Sequence, residues 1–142
     1  MIDYNLSDRF TTPDDLPALA ELFADQEFAL DPEGVAALRK RRELIGEDGI
    51  ITMSLPGTPL GQMVRVHAGV ETIAYLWADA RAELHELFAV MADNHERQFR
   101  LAAQLPEAEA LVSMDDTSTT TQSPAMFAEF NLGYTDRLAD LC

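Results

Sequence analysis

A chain of 142 residues, 47% of them hydrophobic, can bury one core, so one domain or part of one is expected. Its formal charge of −15 would repel a phosphate backbone, which argues against general nucleic-acid binding, and the only cysteine, Cys142, leaves neither an internal disulfide nor a thiolate metal site. No apolar run reaches the roughly 18 residues of a membrane span, and Met1-Ile2-Asp3-Tyr4 lacks the basic and apolar regions of a signal peptide, so a soluble cytoplasmic protein is expected.

In chain order, residues 1–11 carry no periodic pattern and read as an irregular lead-in. Thr12-Pro13-Asp14-Asp15 is a helix start with early acids, and Leu16, Leu19, Ala20 and Phe23 fall on one face of the helix that follows. Asp31-Pro32-Glu33 opens a second helix, with Val35, Leu38 and Ile45 as its buried side and Gly46 as its stop. Arg39-Lys40-Arg41-Arg42 reads as a solvated last helical turn whose cations complement the helix dipole, with an anion patch as the alternative. Residues 1–48 together are a helical lead-in.

The first strand is expected over 50–54, within Gly49-Ile50-Ile51-Thr52-Met53-Ser54; two prolines and a glycine then keep Leu55-Pro56-Gly57-Thr58-Pro59 irregular. Helical spacing resumes at Leu60 with Met63, Val64 and His67, until Gly69 interrupts it. A short helix through Ile73, Leu76 and Trp77 leads to Asp79, read as the N-cap of the longest helix, 80–104. Leu84, Leu87, Phe88, Met91, Phe99 and Ala102 form its apolar stripe. After the Leu105-Pro106 break, Glu109-Ala110-Leu111-Val112-Ser113-Met114 suits a buried strand, taken as 110–115. Strand, helix, strand, helix predicts α/β architecture in which the two strands are parallel, adjacent and joined by a right-handed crossover through the long helix.

The polar stretch between the second strand and Ser123-Pro124, where Ser can cap and Pro can open a helix, lies where parallel α/β proteins bind ligands. Asp115 and Asp116 are adjacent, so at an extended strand end they point to opposite faces and one of them enters a site. A one-residue change of phase exchanges the two. The functional reading is an acid that binds a cationic or N–H-bearing ligand or holds a proton; the bland one is a solvated turn. His67, His85 and His95 lack the i, i+3 or i+4 spacing of paired imidazole ligands, and no metal is expected. His67 reads as a helix-end histidine satisfied by backbone, and His85 and His95 as lying on the solvent side or edge of the long helix. Lys40, the sole lysine, sits in the basic cluster, which argues against Schiff-base chemistry, and neither a phosphate-binding P-loop nor a Gly-x-Ser-x-Gly elbow is present.

Pro56-Gly57-Thr58-Pro59-Leu60, then Gly69-Val70-Glu71, the long helix, the strand ending Met114-Asp115-Asp116, and Ser123-Pro124-Ala125-Met126-Phe127-Ala128-Glu129-Phe130 resemble the uroporphyrinogen decarboxylase superfamily. That superfamily includes the haem-pathway decarboxylase and related methyltransferases that act with corrinoid proteins. The resemblance runs from about Gly49 to Cys142 and implies a (β/α)8 TIM barrel, of which residues 49–142 would supply middle βα units. A full barrel of this kind needs about 250 residues, so the chain is expected to be a single partial domain. An open slice would have free strand edges and uncovered apolar faces, and is expected to be marginal, aggregation-prone or oligomeric.

The resemblance implies a cytoplasmic enzyme that decarboxylates tetrapyrrole acetate side chains in porphyrin biosynthesis, with no cofactor. Asp116 and Asp115 would be its catalytic acids, and Thr117, Arg65 and Thr58 would bind substrate. Thr117 stands where the decarboxylases carry a serine and keeps the hydroxyl, whereas Arg65 replaces a tyrosine and points to a paralogue of other substrate. Nothing in residues 1–48 matches the arginine-bearing segment with which the decarboxylases hold substrate carboxylates. The methyltransferase alternative would bring zinc, held by a His-x-Cys and a further Cys that come later than this sequence reaches, and a corrinoid partner. Decarboxylation of a pyrrole acetate begins by protonating the ring, so Asp116, accepting pyrrole N–H bonds or stabilising that cation, is the acid expected to act. A non-catalytic interaction domain is the remaining alternative.

Overall fold

The computed structural model describes residues 12–141. The lead-in expected over residues 1–11 lies outside them. Asp15 accepts the Thr12 N–H at 3.0 Å, closing a turn that starts α1, Leu16–Ala24, with Leu16, Leu19 and Phe23 buried as the spacing predicts. Asp31 caps α2, Pro32–Ile45, by accepting the N–H groups of Glu33 and Gly34 at 3.3 and 2.9 Å. Gly46 ends it at φ 56°, a value that favours glycine.

Strands β1, Thr52–Leu55, and β2, Ala110–Ser113, pair in parallel from Thr52↔Ala110 to Leu55↔Ser113. The expected parallel neighbours are therefore present in a helix-rich α/β arrangement, and both strands are shorter than expected. Ile50 and Ile51 precede the ladder, but Ile51 adds to it by accepting the Glu109 N–H at 2.9 Å. In β1, Met53 and Leu55 are half-buried while Thr52 and Ser54 are exposed, so helices cover one face only. Nor is β2 the buried strand expected: its first three residues are half-buried and Ser113 is exposed.

Between the strands run α3, Pro59–Gln62; α4, Gly69–Asp79; and α5, Arg81–Ala102. After β2 come α6, Pro124–Met126, and α7, Leu132–Ala139. The two βα connections repeat one pattern. Each strand leads through a polar loop to a capped proline, Thr58-Pro59 or Ser123-Pro124, and a short α-helical stretch. A π turn follows in each, Met63–His67 or Phe127–Asn131, and then a regular helix. The wide turn shows in the Ala68 N–H, which donates to the Met63 carbonyl five residues back at 2.8 Å.

The main core joins α1, α4 and α5 with Leu60, Met63 and Met126; a smaller cluster of Ala92, Phe99, Tyr134 and Leu138 lies under Leu55 and Leu111. In α2 nothing is fully buried, so Val35, Leu38 and Ile45 are only half-covered. Its basic turn acts locally: Arg42 donates to the Gly46 carbonyl at 2.7 Å, as the dipole reading expects, while Arg39 meets Glu107 at 2.8 Å and Arg42 meets Glu109 at 3.3 Å, tying α2 to the entry of β2. Asp79 does not cap α5. It is the last residue of α4, and the chain bends at Ala80, whose burial leaves no room for a capping side chain. Glu129 accepts from Trp77, Arg81 and His85 and so ties this junction to the second π turn; hydrogen bonding by Arg81 leads the causes that hold its pKa down to about 2. No helix among the described residues is long and apolar enough to cross a membrane.

The solvent-side reading of His95 is overturned. His95 is fully buried, being four residues after Met91 and four before Phe99 on the same stripe, while His85 is exposed as expected. Asn94 is equally buried and donates to the Phe23 carbonyl at 2.7 Å and to Gln26 at 2.9 Å, satisfying the end of α1. Asn94→Ala is expected to lower stability by about 2–3 kcal/mol in urea unfolding, because a buried carbonyl loses its nearest donor. A loss under about 0.5 kcal/mol would show that Arg97, which reaches the same carbonyl at 3.2 Å, suffices alone.

Candidate functional site

The loop that follows β1 is shaped by two close approaches. At Gly57 a Cβ would stand 2.7 Å from the Met114 carbonyl oxygen, and at Gly61 it would stand 1.8 Å from Asp115 Oδ1. Only glycine lets the two strand-end loops come this near. Thr58 occupies the meeting point: its hydroxyl oxygen caps α3 by accepting the Gly61 N–H at 3.0 Å, and its proton goes to Asp115 Oδ2. Asp115 Oδ1 is enclosed and has no hydrogen-bond partner among the described residues. A carboxylate oxygen stripped of water and left unpaired is costly, and Oδ1, seated against Gly61, would have to turn toward the cleft to meet a ligand's donor.

Asp115 lines a cleft of about 420 Å³, within the usual range for small-ligand sites. The cleft passes along β2 at Leu111 and Ser113, is walled by Phe99, Phe127, Tyr134 and Leu138, and has Thr58 and Thr117 at its strand-end rim. Behind Tyr134 lies a buried hydrogen-bonded chain. The phenol oxygen is 3.0 Å from His95 Nδ1, and His95 Nε2 is 2.7 Å from Gln62 Oε1. Burial holds the His95 pKa down to about 4, so the ring is neutral. Burial also pushes the Tyr134 phenol up, and the negative charge of Asp115 adds to the shift.

Of the residues singled out from the sequence, Thr58, Asp115 and Thr117 come together on this cleft. Asp116 does not. Its carboxylate is exposed and accepts the Ser118 N–H at 2.9 Å; that backbone bond leads the causes that hold its pKa below the usual range. Its carbonyl accepts from Thr121 and Gln122, each at 2.8 Å, and Gln122 in turn accepts from Asn131 of the second π turn at 2.7 Å. Asp116 thus braces the loop while Asp115 enters the site, the exchange of phase left open by the sequence. Arg65 is exposed and reaches the Met114 carbonyl at 3.5 Å, outside the cleft wall.

Tyr134, His95 and Gln62 were not singled out for chemistry. For His95 the signal was its place on the apolar stripe; for Tyr134 and Gln62 the sequence offers none without the fold. Among the described residues no three His, Cys, Asp or Glu side chains gather to hold a metal ion. Compared with protein-family models, with curated proteins and with solved structures, the chain has no match.

Proposed function

We propose that the cleft at the strand ends is a small-molecule site built on Asp115, and that it belongs to a uroporphyrinogen decarboxylase-like barrel mouth in which Asp115 meets the pyrrole N–H groups of a tetrapyrrole. One observation carries the reading: a carboxylate at the end of a parallel strand lines a cleft, with one oxygen held by Thr58 and the other unpaired among the described residues. In decarboxylation a proton adds to the pyrrole ring, the electron pair of the breaking carbon–carboxylate bond neutralises the resulting cation, and carbon dioxide leaves. A proton takes its place on the exocyclic carbon, and the proton first added to the ring departs as aromaticity returns, so that one proton is consumed overall. A negative charge fixed beside the ring nitrogens lowers the energy of that cation. The barrel part of the proposal draws support from the sheet. Among the described residues each strand is paired on one side only, as adjacent barrel strands would be before closure, and these free edges are also the reason to expect self-association.

The test is binding of uroporphyrinogen under anaerobic conditions, with its oxidised porphyrin as a fluorescent probe and product porphyrins separated to read decarboxylation. Asp115→Asn is expected to weaken binding by about tenfold or more, the range for a hydrogen bond to a charged group. Asp116→Asn should leave binding within about twofold, since its role is local to the loop. Equal binding by the parent chain and Asp115→Asn would remove the tetrapyrrole reading.

A further inference from the structure

We infer that the part of the cleft around Thr58, Asp115 and Tyr134 is a receptor for an organic cation bearing more than one N–H, its apolar body seated against Leu111, Phe127 and Leu138. This goes beyond the tetrapyrrole reading, whose pyrrole N–H donors are neutral, and rests on the part the two share, Asp115 as the binding carboxylate. The polarity follows from where the hydroxyl protons go. Thr58 donates to Asp115, Ser113 donates to the Pro56 carbonyl at 2.9 Å, and Thr135 donates to the Asn131 carbonyl at 2.7 Å. A hydroxyl has one proton to give, so these three can offer a ligand only lone pairs.

Tyr134 reaches the same state by a longer route. The neutral His95 carries a single ring proton, and Nε2 faces an acceptor, Gln62 Oε1, at 2.7 Å. The proton is therefore on Nε2, and Nδ1 is bare. At 3.0 Å, Nδ1 takes the phenol proton in preference to the Gly57 carbonyl at 3.4 Å. The Tyr134 oxygen is left as an acceptor beside a carboxylate, and Thr117 is the one lining hydroxyl outside the set. A neutral donor would satisfy such a wall only in part, and an anion would meet a carboxylate and lone pairs with nothing to receive its charge. The chain's net charge of −15 attracts cations from a distance as well.

Three probes that share one ring decide it: benzamidine, benzyl alcohol and benzoate, titrated calorimetrically into the parent chain and into Asp115→Asn and Tyr134→Phe. Benzamidine is expected to bind at least about tenfold more tightly than benzyl alcohol, with no binding by benzoate, because its bonds are to a charged acceptor. Asp115→Asn should cost about tenfold or more, and Tyr134→Phe about threefold to tenfold, for benzamidine. Benzoate binding as tight as benzamidine, which would require Gln62 to face His95 with its amide nitrogen and Tyr134 to donate, overturns the inference, as does failure of benzamidine to bind at millimolar concentration. If uroporphyrinogen binds in an Asp115-dependent way and benzamidine does not, the cation receptor falls while the tetrapyrrole reading stands. If Asp115→Asn leaves both ligands unaffected, both readings fall.

Discussion

Gly61→Ala is expected to destabilise the protein by about 2–3 kcal/mol, although an alanine in place of a helical glycine ordinarily stabilises by up to about 1 kcal/mol. The sign reverses because of Asp115. A Cβ at position 61 would lie 1.8 Å from Oδ1, 2.6 Å from Cγ and 2.8 Å from Oδ2, so the whole carboxylate must leave. Its side chain is too short to move and still accept the Thr58 proton. The collision predicts strong coupling: in Gly61→Ala with Asp115→Ala the clash is gone, and the double variant should be about 1–3 kcal/mol more stable than the sum of the single changes. Urea unfolding of the four proteins measures it. Strict additivity would mean that Asp115 does not rest against Gly61 in solution, and would remove the close approach on which the site is built.

The second large effect is on pH dependence. His95 has a folded pKa of about 4, below its ordinary value of 6.5, so between these values the unfolded chain takes up a proton that the native chain refuses. Its contribution is complete above about pH 6.5 and is lost as pH falls towards 4, reaching about 3 kcal/mol over the whole window. His67, also lowered by burial, acts in the same direction. Glu129 does not overlap much, since a carboxylate held down to about 2 loses its contribution only as pH falls below about 4.5. Unfolding free energies at pH 7, 5.5 and 4.5 should fall steadily for the parent chain. The drop should be shallower in His95→Gln by about one proton's worth of slope, near 1.4 kcal/mol per pH unit at its steepest. Identical slopes would place His95 in contact with water and undo the argument that it is neutral.

Much of the fold was legible because its signals are local. Asp31-Pro32 and Gly46 bound α2 by capping chemistry, and Ser123-Pro124 opens α6 with the Ser hydroxyl accepting the Met126 N–H at 3.2 Å. The two parallel strands could be read from short apolar runs on either side of a long amphipathic stripe. Burial was harder. An apolar run says that a strand can be buried, but how far β2 is covered depends on what packs over it, and its residues are at most half-buried. His95 was misplaced because a polar residue inside an apolar stripe was assigned by its type instead of its position. Its partners come from two other helices, Gln62 and Tyr134, and no spacing in the chain announces them. At the site, the sequence located the acidic pair but not which acid faces inward. That is settled two residues beyond the end of β2, where alternation no longer holds and the Thr58 hydroxyl selects Asp115.

The paired π turns bear on how this chain tolerates changes of length. A π turn holds one residue more than the α turn it replaces while the helix on either side keeps its direction. Phe127–Asn131 has helical backbone on both sides, so loss of one residue there would relax the stretch to an ordinary helix and leave its flanks in phase. Met63–His67 instead ends at a break, Ala68 at φ −132° and Gly69 at φ 82°, that already separates it from α4. The same loss within Arg81–Ala102 would turn every later side chain by about 100°, carrying His95 and Phe99 off their stripe. Single-residue gaps among descendants of this sequence should accordingly gather at the second π turn and be rare along the long helix.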